Sequence, residues 1–139
     1  MAEFWDIYDE NRNKTGKLAE RDVYEFNEGE YHIVVTGIIL NSKYEILISK
    51  RAPWKKYGGL WECNGGSILA GETSLEGILR ELKEELGITF SEKDATFLKE
   101  VKRDKKVPDF KDLWIFQRNI SINEITFPDG EATEAKWVA

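Results

Sequence analysis

Residues Gly66 to Ile88 read G-S-I-L-A-G-E-T-S-L-E-G-I-L-R-E-L-K-E-E-L-G-I. A glycine-containing loop leads into a helix spanning Ser74 to Leu86. Thr73 is its N-cap, and Glu76, three residues on, closes a capping box. Gly87 stops the helix in the left-handed C-cap position. At 3.6 residues per turn, Glu81, Glu84 and Glu85 fall on one stripe about 100° wide. Leu75, Ile78, Leu79, Leu82 and Leu86 form an apolar stripe beside it, while Glu76 and Lys83 face away.

The acidic stripe is a poor choice for a helix built only for stability. Like charges at i,i+4 cost roughly 0.2–0.5 kcal/mol per pair, and acid near the C-terminal end opposes the helix dipole. A solvated acidic face is the plain explanation. A hard divalent cation with oxygen ligands is the alternative that would offset the repulsion.

The spacing around the helix favours the cation. Gly66, Glu72, Arg80, Glu81, Leu82, Glu84, Glu85, Gly87 and Ile88 reproduce every specified position of the Nudix box. At ordinary residue frequencies a chance match is about one in a million or rarer, so the chain is identified as resembling the Nudix family. The resemblance continues more loosely from Tyr31 to Trp137. It implies an α/β fold, a Nudix-type α/β/α sandwich with a mixed β-sheet, and hydrolysis of a diphosphate linkage in a nucleoside diphosphate derivative or related organic diphosphate.

Composition sets the limits. The chain has 139 residues, 41% of them hydrophobic and 33% charged, with a net charge of −6. That describes one globular domain with a real core. The negative charge argues against a nucleic-acid polymer as the partner, but not against a small-molecule diphosphate bridged by a cation. No apolar run spans a membrane, the acidic N-terminus is unlike a secretory signal, and the single cysteine suits a reducing compartment. The expectation is cytoplasmic.

A single Nudix domain over 1–139 is expected, with an N-terminal hairpin extension over 1–30. Phe4 to Tyr8 and a return toward Lys17 form that hairpin, and Ala19 to Phe26 holds a helical turn. Tyr31 to Leu40 reads as a central strand buried on both faces, paired with Glu45 to Lys50. Trp61 to Asn64 is a short strand. Ala95 to Val101 and Leu113 to Ile122 pair across a polar loop that resembles a substrate lid. Ile125 to Phe127 and Ala135 to Val138 complete the strands. His32 is a structural residue, and Cys63 a small buried one.

What the resemblance implies for the site is specific. Glu84 and Glu85 would be the main metal ligands, with Glu81 a ligand or the general base and the Gly65 carbonyl a further ligand. Arg80 would pair with a site glutamate, and Glu72 would anchor the loop to the helix. Mg²⁺ is the expected cofactor, with Mn²⁺ as a substitute. A glutamate before the terminal W-V strand would also reach the metal or water; Glu131 is preferred over Glu134. Arg51, Lys55 and Lys56, in R-A-P-W-K-K, are candidate substrate contacts, or simply a solvated basic loop.

Two rival functions remain. The first half of the chain also resembles isoprenoid-diphosphate isomerases of this fold, but Gly65 and Ser67 stand where those enzymes carry cysteine and histidine, and Cys63 comes two residues too early. A non-catalytic Nudix-fold binding module is the other; such proteins show a damaged box, and this one is intact. One structural piece is missing: the second covering helix of the sandwich has no candidate after Trp137. Either the sequence is truncated or another subunit covers the exposed face; in both cases an apolar patch should remain, and self-association, most simply as a homodimer, is expected.

Overall fold

The computed structural model describes residues 2–139. At its centre lies β3 (His32–Leu40), which pairs in parallel along its whole length with β8 (Asp109–Gln117). On its other side β6 (Asn64–Ser67) takes the first half of the strand, and β4 (Ile46–Arg51) meets it only at Leu40. The strands β3 and β4 therefore splay apart, with β6 wedged between them. Outward from β4 lie β5 (Trp61–Glu62) and β9 (Ala132–Val138); outward from β8 lies β7 (Ala95–Arg103). One parallel pair among antiparallel ones makes the seven-stranded sheet mixed, and with its single helix the fold is α/β.

The helix α1 (Ser74–Leu86) forms as its caps require. Thr73 Oγ1 accepts the Glu76 N–H, Glu76 returns the bond to Thr73, and Gly87 caps the end at φ 73°. Ile78, Leu82 and Leu86 are wholly buried against Ile33, Val35 and Ile39 of β3. Each contributes about 1.5–3 kcal/mol of burial. Gly37 lies under the helix, where an added Cβ would meet Ile78 and Leu82 at 3.2 Å.

Several expectations need correcting. The strand β3 is not buried on both faces: Ile33, Val35, Gly37 and Ile39 are buried, while Val34, Thr36, Ile38 and Leu40 are half-buried. Among the described residues α1 is the only α-helix, so no second helical layer covers that other face. The face is no broad apolar patch either. It forms a groove in which Val34, Ile38 and Leu113 alternate with Arg51, Glu62, Arg103 and Lys111. The expected lid shrinks to 104–108, because β7 and β8 both run on toward it. Residues 125–127 form no strand, and the short strand at Trp61 is broken into β5 and β6 at Cys63.

The N-terminal hairpin, β1 (Phe4–Tyr8) and β2 (Lys14–Glu20), is a separate two-stranded sheet. It has a small core of its own, made by Trp5, Ile7 and Ala19 under Tyr24 and Phe26. After β2 the chain makes one turn, in which Tyr24 N–H bonds the Glu20 carbonyl. Trp5 stacks on buried His32 at 4.1 Å between ring centroids, and the same histidine borders the cavity that holds the acidic stripe. Arg12, at the hairpin tip, grips the fully buried Asp112 with both terminal nitrogens at 2.8 and 2.6 Å. Ser74, the first residue of α1, donates to the same carboxylate.

Candidate functional site

The acidic stripe, the glycine loop and the basic loop meet at one cavity of about 470 Å³. Glu81, Glu84, Glu85, Gly65, Arg80, Glu131, Arg51 and Lys55 all line it. Of the residues singled out in the sequence, Lys56 does not. It is exposed, with its ammonium over the Tyr57 ring, and only its carbonyl is used, accepting from Arg51 Nε at 2.9 Å. Glu134 is also elsewhere, exposed on β9 beside Lys50.

The loop before the helix is set by Glu72 and Arg80. Glu72 accepts the Leu69 N–H at 2.7 Å and takes Arg80 Nε and Nη2 at 2.7 and 3.0 Å. Arg80 Nη2 also reaches the Ser67 carbonyl, and its Nη1 bonds both Glu81 and Glu84 at 3.0 Å. One guanidinium thus ties β6, the loop and two stripe glutamates together. Burial would lower its pKa, yet Glu72, Glu81 and Glu84 more than offset this and raise it, so it stays charged. Gly65 is dictated by contact: a Cβ there would collide with the Val35 carbonyl. Its N–H donates to Glu85 Oε1 at 2.9 Å.

Glu85 is only 6% exposed, turned inward from the rest of the acidic stripe. Burial pushes its carboxyl up to about 9, with the charges of Glu81 and Asp129 adding to the rise. Burial likewise pushes Glu81 up to about 7; Arg80 opposes the shift, and Glu84 and Glu131 support it. Glu131 is held by Lys55 Nζ at 2.9 Å, which keeps its carboxyl below the usual range although burial works the other way.

These groups bear on a cation in two ways. Among the described residues no three carboxylate, histidine or cysteine side chains converge as a ready cage, because Arg80 engages Glu81 and Glu84 while Glu85 is turned to Gly65. The donor set nonetheless fits a hard divalent ion. It is all oxygen, and burial raises the carboxyls of Glu85 and half-buried Glu81, so that added positive charge would favour their ionised, ligating form.

Four contributors were not visible in the sequence. Glu3 and Arg21 of the hairpin region line the cavity, as do Arg103 at the end of β7 and Lys105 from the β7–β8 turn. Arg103 and Lys105 share the fully buried Asp109. No local spacing signals any of them, since each arrives by long-range packing.

Comparisons with known proteins agree with this geometry. The NUDIX domain family model matches residues 30–139. An uncharacterized Nudix hydrolase of Listeria monocytogenes is 34% identical over 140 residues, covering 98% of this chain and 79% of its own. An isopentenyl-diphosphate Delta-isomerase of Pectobacterium atrosepticum is 36% identical over 84 residues, covering 59% of this chain and 46% of its own. The crystal structure of the MutT protein from Methanosarcina mazei Go1 superposes with a TM-score of 0.66 at 25% identity, covering 78% of this chain and 77% of that one. The box, the fold and these relatives place the chain in the Nudix hydrolase family, whose members are enzymes acting on small-molecule diphosphates.

Proposed function

We propose that the chain hydrolyses a phosphoanhydride in a nucleoside diphosphate derivative or related organic diphosphate, with Mg²⁺ as cofactor and Mn²⁺ as its substitute. The carrying observation is buried Glu85 beside half-buried Glu81, both starved of positive charge, in a cavity shared with Arg51 and Lys55. Glu84, Glu85 and the Gly65 carbonyl would hold the cation, with Glu131 as a further ligand. When bound, the cation neutralises phosphate charge and lowers the pKa of attacking water. Arg51 and Lys55 bind and orient the diphosphate. Glu81 is the proton acceptor: its Oε1 is fixed by Arg80, its Oε2 has no hydrogen-bond partner among the described residues, and a carboxyl near 7 matches a base working at neutral pH. Arg80 positions Glu81 and Glu84 and touches no reacting atom.

Isomerase chemistry has less support. Cys63 lies in the adjoining groove, outside this cavity, and burial pushes its thiol up. Among the described residues no helix is long and apolar enough to cross a membrane. The test is a panel of nucleotide and organic diphosphates with Mg²⁺, read as released phosphate. Release from at least one substrate is expected; turnover of isopentenyl diphosphate to its isomer, with no hydrolysis of any substrate, would overturn the reading.

A further inference from the structure

The family model begins at residue 30, so the hairpin of β1 and β2 lies outside the common domain. It nevertheless makes two direct bonds to the turn that carries Glu72. Phe4 offers its carbonyl to the Ala70 N–H at 2.8 Å, and Asp6 Oδ2 accepts the Gly71 N–H at 2.8 Å. Gly71 sits at φ +86°, a left-handed conformation immediately before Glu72. With both amides fixed, the direction in which the chain enters Glu72 is fixed too. From Glu72 the contacts run through Arg80 to Glu81 and Glu84, each step at 3.0 Å or less.

The hairpin is built to hold this position. Its own core stiffens it, and the Trp5–His32 stack and the Arg12–Asp112 grip dock it at two places on the main body. The grip also reaches the helix start, because Asp112 accepts from Ser74. Both ends of the Glu72 turn are therefore referred to the hairpin. We propose that the hairpin is a working part of the active site, with Asp6 the positioning residue that sets the Glu72 turn and, through Arg80, the two glutamates. The inference rests on the hydrolase reading for its kinetic consequence, but not for its structural one.

The test crosses variants that separate the acceptor from the charge. Asp6→Asn keeps an oxygen for the Gly71 N–H and loses the charge; Asp6→Glu keeps the charge but displaces the oxygen by a methylene; Asp6→Ala loses both. Lys14→Ala removes the ion partner of Asp6 at 3.4 Å and is the control. Loss of a group bonded directly to a metal ligand costs about 10- to 100-fold in metal affinity or activity, and Asp6 acts two steps further out, so the low end of about tenfold applies. We expect a loss of that size in kcat, with KM within about twofold, for Asp6→Ala and a smaller one for Asp6→Glu. Asp6→Asn and Lys14→Ala should behave as wild type. Mn²⁺ affinity, read by electron paramagnetic resonance, should fall in the same order, and Gly71 amide exchange should quicken in Asp6→Ala. The last two readouts need no substrate, so they decide the inference even if the hydrolase reading fails. Should Asp6→Ala melt early, the Asn and Glu variants carry the comparison. Unchanged Mn²⁺ affinity and Gly71 exchange in both Asp6→Ala and Asp6→Glu, or an Asn variant as impaired as Ala, would overturn it.

Discussion

Two walls face each other across the cavity, and they differ in how their charge is balanced. The α1 wall carries Glu81, Glu84 and Glu85 within one and a half turns. Its buried Glu85 and half-buried Glu81 are raised to about 9 and about 7 because burial disfavours their charge and only one amide and Arg80 favour their ionisation. The facing wall is gathered from distant segments, and its cations are already paired: Arg51 with Glu62, Lys55 with Glu131, Arg103 with Asp109. One wall holds carboxyls whose charge burial disfavours and a cation can stabilise; the other is neutralised in advance. Substitutions on the first should therefore change the chemistry, and those on the second should change binding.

The largest expected effect is Glu85→Gln. It keeps an oxygen for the Gly65 N–H but removes the charge of the proposed cation ligand, so kcat should fall by more than the roughly 100-fold that follows loss of a group supporting a ligand. Melting temperature at pH 8 should hold or rise, because an uncharged side chain suits a site that disfavours charge. A sharp loss of stability would mean that Glu85 is a structural anion. Next comes the apolar stripe of the same helix. Leu82→Ala should cost about 2–5 kcal/mol in a denaturant melt, and a loss below about 1 kcal/mol would break the claim that this stripe anchors the wall.

The same wall fixes a pH dependence. Glu85 and Glu81 have folded-state values raised to about 9 and about 7 above the ordinary 4.5. A raised carboxyl favours folding fully below pH 4.5 and loses that contribution as pH rises through the folded value. Stability in chelator should thus fall between pH 5 and 9 (a window set by those two shifts), by a few kcal/mol in order of magnitude. Saturating Mg²⁺ should restore the loss at the upper end. A flat profile with no response to Mg²⁺ would contradict this burial penalty.

What could be read from the sequence follows the same division. The α1 wall is local: one helical period sets Glu81, Glu84 and Glu85 against Ile78, Leu82 and Leu86, and Thr73 and Gly87 mark its ends. What the period could not show is that Glu85 is buried, since this depends on β6 closing over it with Gly65. The facing wall is non-local. Arg51 and Lys55 could be named because they sit in one short loop, but Lys56, adjacent in sequence, turns to Tyr57. Arg103 and Lys105 were hidden in a loop that β7 and β8 largely absorb, and Arg21 depends on the docking of the hairpin. The half-buried face of β3 was missed because a run of β-branched residues has no period to separate its two sides.

Smaller effects should come from the facing wall. Lys55→Ala should raise KM about tenfold, in line with a charged hydrogen bond worth 1.5–3 kcal/mol, and leave kcat within about threefold; Lys56→Ala should change neither. Equal effects from the two would erase the distinction drawn between them. The homodimer is a further proposal with a weakened basis, because the uncovered groove carries Arg51, Glu62, Arg103 and Lys111 among its apolar residues. Light scattering at high concentration checks it, and a clean monomer would end it.

The central claim is that the charge on the α1 wall is completed by a divalent cation during hydrolysis. The most direct measurement is phosphate release from the best substrate of the panel, in Mg²⁺ and then in excess chelator. Activity lost in chelator and recovered on adding back Mg²⁺ or Mn²⁺ is the expected result. Full activity in chelator would contradict it.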